Sequence, residues 1–223
     1  MALPMPKWLC FDLDGTLVDS VPDITYSLNE MLVQMNLPNV SEGIARTWIG
    51  NGAQKLIYRA LTHVLGTEPE EGQFEQAKAL FFIAYEKNIA VKTVVYPGCM
   101  RVLSHFASHK IPLACVTNKP RKFTPPLLEK LSMAHFFQAL VCGDDLDKQK
   151  PDPAPIIEAI KSLGGNPDDG YMIGDSETDM AAAKGAGAGA IYVSYGYNRG
   201  VSVEKYQPIC INSLIELLNL FKH

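Results

Sequence analysis

The run Trp8-Leu9-Cys10-Phe11 is apolar and of strand length, and it ends in Asp12-Leu13-Asp14-Gly15-Thr16. In a strand, residues i and i+2 point to the same side, so Asp12 and Asp14 can face one substrate while the preceding residues run into a core. Gly15 permits a tight turn whose N–H groups can meet an anion. A strand that ends in two carboxylates and a phosphate-sized turn constrains the fold strongly, because it calls for a buried sheet with its carboxyl ends free for chemistry.

Three later apolar runs end in groups that complement those carboxylates. Residues 111–116 lead into Thr117-Asn118-Lys119, a hydroxyl, an amide and a cation suited to phosphate oxygens. Lys150 lies in Lys-Gln-Lys-Pro-Asp-Pro, where prolines remove backbone donors and stiffen the approach to a helix. Residues 171–174 lead into Gly174-Asp175-Ser176-Glu177-Thr178-Asp179, with two acids about one helical turn apart. Taken singly, each motif has an ordinary reading as a turn, a surface lysine or a helix cap.

From Tyr96 onward strand-like runs alternate with helical ones, which predicts an α/β fold with a doubly wound parallel sheet covered on both faces. Strands are expected at 8–12, 112–117, 139–142, 171–174 and 190–194. All four motifs then fall at carboxyl ends of strands, where open α/β sheets bind ligands. The stretch between the first two strands is too long for a plain crossover. Its segments 21–35, 41–48, 53–65 and 73–88 carry helical apolar spacing, as in Leu56, Ile57, Ala60, Leu61 and Val64. The expected organisation is a catalytic core of residues 1–17 and 92–223 with a helical cap of residues 18–91 inserted in it. Such a cap closes over the site, sheds water and selects the substrate.

Jointly, Asp12-Leu13-Asp14-Gly15-Thr16, Thr117, Lys150 and Gly174-Asp175-Ser176-Glu177-Thr178-Asp179 resemble the haloacid-dehalogenase superfamily of phosphotransferases, in order and in loop position. The resemblance implies that Asp12 attacks phosphorus and carries an aspartyl-phosphate, and that Asp14 protonates the leaving oxygen and then activates water. It implies a Mg²⁺ cofactor held by Asp12, the carbonyl of Asp14 and Asp175, with Asp179 in the same acidic cluster. Gly15, Thr16, Thr117, Asn118 and Lys150 would cradle the phosphoryl oxygens, Lys150 also balancing charge, with Lys119 as an assistant.

Within the superfamily, residues 47–53, 117–120, 143–145 and 195–200 look like those of the bacterial phosphoglycolate phosphatases. That narrower resemblance implies hydrolysis of 2-phosphoglycolate, with Gly50, Asn51, Gly52 and Arg46 as cap residues for the substrate. Lys55 and Arg59 are further candidates for its carboxylate. No catalytic role is expected for residues 195–200. Alternatives are a small sugar-phosphate phosphatase, a β-phosphoglucomutase-like mutase, an inorganic pyrophosphatase or a non-catalytic binding protein. Dehalogenases do without the metal acids, and phosphonate hydrolases carry a small residue in place of Asp14.

Composition narrows the partners. With 20 basic and 24 acidic residues, net charge −4 and no basic run, the chain is expected to bind a small phosphorylated metabolite and no nucleic acid. No stretch approaches the ~18 apolar residues of a membrane span, and residues 1–7 lack an apolar leader core. The five cysteines, Cys10, Cys99, Cys115, Cys142 and Cys210, are widely spaced without zinc-ligand patterning and read as reduced thiols of a cytoplasmic protein. Phe81 and Tyr85 either fill the cap core or pair subunits, leaving monomer and homodimer open.

Overall fold

The computed structural model describes residues 3–198 and 200–222, so Arg199, within the loop singled out above, lies outside the described residues, as do Met1 and Ala2 of the N-terminal stretch. Six parallel strands form the central sheet: β1 (Trp8–Phe11), β2 (Leu113–Val116), β3 (Ala139–Val141), β4 (Gly170–Gly174), β5 (Gly189–Val193) and β6 (Ile209–Ile211). They lie side by side in the order β3-β2-β1-β4-β5-β6. Strand order therefore reverses direction next to β1, the place where a doubly wound sheet opens a crevice at its carboxyl edge.

The two-residue period of β1 divides the core. Leu9 and Phe11 pack with Phe106 of helix α5 (Cys99–Ser108) and with Leu214 and Leu217 on one face. Trp8 and Cys10 pack on the other face with Ile156, Ala159 and Ile160 of α7 (Ala154–Ser162) and Ala182, Ala183 and Ala186 of α8 (Glu177–Ala186). All four β1 side chains are buried, as expected for a strand covered on both sides. Ladder pairing runs one residue past the strand, since the Asp12 N–H donates to the Ile173 carbonyl at 2.9 Å. That bond fixes Asp12 at the sheet edge.

Between β1 and α5 the chain forms α1 (Val21–Gln34), α2 (Glu42–Arg46), α3 (Ala53–Leu65) and α4 (Glu71–Asn88). A two-residue antiparallel ribbon, Val18–Asp19 with Val94–Val95, joins these helices to the sheet layer. Helix α3 shows how the pattern becomes structure: Leu56, Ile57, Ala60 and Leu61 are buried, and Gly66 ends the helix in a left-handed turn that satisfies the Thr62 carbonyl. Asp23, buried in the first turn of α1, accepts the N–H groups of Val91, Lys92 and Thr93 and the Thr93 hydroxyl. It thereby ties the outgoing segment to the incoming helix.

The sheet has one strand more than the sequence pattern predicts. Ile209–Ile211 pairs with β5 at the edge, three residues after an irregular stretch with no periodic signal. A second addition pairs Leu3–Pro4 with Phe221–Lys222. All five cysteines are free thiols, four buried and Cys210 exposed. No helix among the described residues is long and apolar enough to cross a membrane.

Candidate active site

Asp12 and Asp14 leave the end of β1, Thr117 to Lys119 leave β2, and Asp175 leaves β4. These segments converge because the strands are hydrogen-bonded neighbours, not because their residues are near in sequence.

At the centre stands Lys150, 2% exposed. Its ammonium donates to Asp12 Oδ1 (2.9 Å), Asp179 Oδ1 (2.6 Å) and the Val116 carbonyl (2.6 Å). Three protons meet three acceptors. Burial works against the charge, but Asp12 and Asp179 outweigh it and raise the affinity of Lys150 for its proton. Asp179 is also the N3 residue of a capping box on α8: its Oδ2 accepts from Ser176 N–H and Oγ, while Ser176 Oγ accepts from Asp179 N–H. The acid is at once a helix cap and an ion-pair partner.

Asp175 is held by Thr16 Oγ1 (3.0 Å) and by the Tyr197 N–H (2.6 Å). Gly15 allows this approach. Its φ of +93° lies in the left-handed region, and a Cβ there would stand 2.4 Å from Asp175 Oδ2. One oxygen from each of Asp12, Asp175 and Asp179 lies within 4.8 Å of the others. Burial, with the charges of its neighbours, pushes Asp175 well above the usual carboxylate range and Asp12 up to about 7, although Lys150 draws Asp12 down. Three buried carboxylates against one ammonium form an oxygen-only set short of positive charge, which fits a hard divalent cation.

Asp14 belongs to a second network. Ser20 Oγ donates to its Oδ1 (2.6 Å), and Lys119 Nζ bonds Oδ1 (3.1 Å) and Oδ2 (2.9 Å). Lys119 is buried, and despite that burial the Asp14 carboxylate raises its proton affinity. Tyr197 links this network to Asp175, since its hydroxyl accepts from Ser20 N–H (2.8 Å) and donates to Asp19 Oδ1 (2.9 Å).

The loop Gly50-Asn51-Gly52, between α2 and α3, rests on the sheet side. Asn118 Nδ2 donates to the Gly50 carbonyl (3.2 Å) and to the Lys150 carbonyl (2.8 Å), while Asn51 Nδ2 reaches Thr178 Oγ1 (3.3 Å). Gly52 has φ +85°, and a Cβ would come within 3.1 Å of Gln149. Thr117 Oγ1 accepts from Lys119 N–H at 3.2 Å. A cavity of about 50 Å³ remains, lined by Asp12, Asp14, Thr117, Asn118 and Lys119 below and by apolar side chains of the helices above. Asp12 and Asp14 also border a smaller space of about 20 Å³ with Asp175, Ser176 and Glu177.

The structure thus brings together Asp12, Asp14, Gly15, Thr16, Thr117, Asn118, Lys150, Asp175 and Asp179, with Gly50, Asn51 and Gly52 across from them. Arg46 is placed differently. Its guanidinium bonds Asp19 Oδ2 (2.9 Å) and lies 5.0 Å from the Tyr197 ring centroid, and it is absent from the lining of either space. Arg59 bonds the Trp48 carbonyl and Asn51 Oδ1. Lys119, expected only to assist, is the cation that touches Asp14. Tyr197, given no catalytic role, bonds both Asp175 and the start of α1. Adjacency to Thr117 is the signal for Lys119; Tyr197 is marked only by the resemblance carried by residues 195–200, which implies no role, because its partners lie far away in sequence.

The family model for haloacid dehalogenase-like hydrolases matches residues 9–193. A phosphoglycolate phosphatase from Nitrosococcus oceani is 41% identical over 219 residues, 98% of this chain and 97% of the relative. Phosphoglycolate phosphatase 1 from Pseudomonas aeruginosa is 40% identical, over 97% of this chain and 80% of its own length. A crystal structure described as a predicted phosphoglycolate phosphatase from Haemophilus somnus superposes with a TM-score of 0.91 at 34% identity, covering 96% of this chain and 97% of that one.

Proposed function

Because the chain belongs to the haloacid dehalogenase-like hydrolase family, we propose that it is a Mg²⁺-dependent phosphatase that converts 2-phosphoglycolate and water to glycolate and phosphate. The observation that carries the substrate size is the cavity of about 50 Å³ over Asp12 and Asp14. A narrow space with an apolar roof favours a compact leaving group of a few heavy atoms over a bulky one. The names of the similar enzymes from Nitrosococcus oceani and Pseudomonas aeruginosa support the same substrate.

Asp12 is the nucleophile in this reading. Lys150 engages its Oδ1, which leaves Oδ2 to attack phosphorus and form the aspartyl-phosphate. Asp14, fixed by Ser20 and Lys119, passes a proton to the departing alkoxide and later takes one from the water that cleaves the acyl phosphate. Lys150 holds Asp12 and Asp179 together by offsetting their mutual repulsion, with all three of its protons on protein acceptors in this arrangement. Thr117 receives a phosphoryl oxygen beside Asp12, whereas the amides of Thr16, Leu17 and Val18 are taken up by the Leu13 carbonyl and serve the turn. Asp12, Asp175 and the Asp14 carbonyl would hold the cation, with Asp179 adding charge from behind. When bound, the cation neutralises these carboxylates and polarises the phosphoryl group. Residues 18–91 act as the cap, with the loop at Gly50 to Gly52 closing against Asn118 to exclude water.

The test is phosphate release from 2-phosphoglycolate, pyrophosphate and sugar phosphates, with Mg²⁺ and with a chelator. The expected kcat/KM for 2-phosphoglycolate exceeds the others by about 100-fold, equivalent to about 2.7 kcal/mol. Asp12→Asn should lower turnover by at least about 10³-fold. Full turnover in Asp12→Asn, or after chelation, overturns the mechanism.

A further inference from the structure

Among the described residues that line the cavity over Asp12 and Asp14, Lys119 is the only lysine or arginine. Its ammonium stands 4.8 Å from the ring centroid of Tyr85, which reaches the cavity from α4. The Tyr85 hydroxyl is buried, in a residue only 2% exposed, and its oxygen faces the Lys119 ammonium while its O–H finds no acceptor among the described residues. Burial pushes the phenol up to about 12, so it stays protonated and able to donate near neutral pH. A buried O–H without an acceptor destabilises a fold, and such donors are rare enough that each invites a functional explanation.

The surroundings specify what the hydroxyl can bind. Ile49, Leu56, Phe81 and Phe123 complete the wall, so an anion lying there is shielded from water and attracted strongly by nearby donors. Arg46 is occupied by Asp19 and Arg59 by the Trp48 carbonyl and Asn51. Lys119 has three protons and meets the Asp14 carboxylate, and both residues line the cavity.

We propose that the Tyr85 hydroxyl and the Lys119 ammonium form the specificity site for the leaving group, selecting phosphate esters whose alcohol carries a carboxylate one carbon from the ester oxygen. This rests on the phosphoglycolate reading. Tyr85 belongs to the inserted helices and Lys119 to the loop after β2, so the pair is assembled only when the two layers are together. Leaving-group choice and closure are then one event.

The experiment compares kcat/KM for 2-phosphoglycolate with that for ethyl phosphate, which has the same chain length but no carboxylate, in wild type, Tyr85→Phe and Lys119→Gln. Wild type should favour 2-phosphoglycolate by about 100-fold. That ratio should fall about tenfold in Tyr85→Phe, the size of one hydrogen bond to a charged group, and at least as far in Lys119→Gln. The inhibition constant for glycolate should rise in parallel. Because the Tyr85 O–H has no acceptor, Tyr85→Phe should leave Tm close to that of wild type, which separates recognition from packing. A wild-type preference that survives in Tyr85→Phe within twofold overturns the specificity site and spares the phosphoglycolate reading. A wild-type enzyme indifferent between the two esters overturns both.

Discussion

On the sheet side of the cavity, Lys150 meets three acceptors with three protons, and Asp179, Asp175 and Asp14 each accept at least two hydrogen bonds. On the helix side the wall is apolar, and its one phenol donates to nothing. The first region is over-determined: moving any member breaks several charged contacts in a low dielectric. The second is held by shape, which side-chain substitution alters in small steps. Chemistry that must not vary is placed in the network, and choice of leaving group is placed in the packing.

Breaking the network should have the largest effect. Lys150→Met leaves Asp12 and Asp179 buried without their cation, and the expected loss in urea unfolding is about 3–5 kcal/mol. Added Mg²⁺ should recover part of it, because it supplies the missing positive charge. No loss would mean that the carboxylates are neutral in the folded protein.

Altering the packing should cost less and change a different quantity. Leu56→Ala removes a buried side chain from the roof and is expected to cost about 2–3 kcal/mol. The enlarged cavity should raise kcat/KM for a three-carbon phosphate ester relative to 2-phosphoglycolate by about tenfold. A loss of stability with unchanged selectivity would show that size is set elsewhere.

The smallest effect should come from Arg46. Its guanidinium side chain is 37% exposed and paired with a single carboxylate, so Arg46→Ala should cost less than about 1 kcal/mol. Its KM for 2-phosphoglycolate should stay within twofold of wild type. A tenfold rise would return Arg46 to the substrate side and contradict the geometry described above.

The fold was readable where periodicity is long. Trp8 to Phe11 and Leu113 to Val116 are continuous apolar runs ending in polar groups, and α3 repeats its apolar residues over three turns. The edge strand Ile209–Ile211 and the pairing of Val18–Asp19 with Val94–Val95 were not readable, because two or three residues carry no period and their pairing is decided by distant neighbours. Residue types likewise pointed to Asp12, Lys150 and Asp175 as a group. Direction of side chains did not follow: in a string of letters Arg46 reads as a substrate contact or a solvated helix residue, and Tyr85 as cap core or subunit contact. Only packing turns one toward Asp19 and the other toward the cavity.

The narrow ribbon has a consequence for how proteins of this architecture diversify. The helices leave and rejoin the sheet layer at paired residues, Val18 with Val95 and Asp19 with Val94, so the two crossings are neighbours in space. An insertion whose ends already touch can be lengthened, shortened or replaced without stretching the chain that carries Asp12 or displacing β2. The hydrolytic machinery can therefore be inherited intact while the module above it is exchanged, and new substrates become accessible through a graft at two adjoining points.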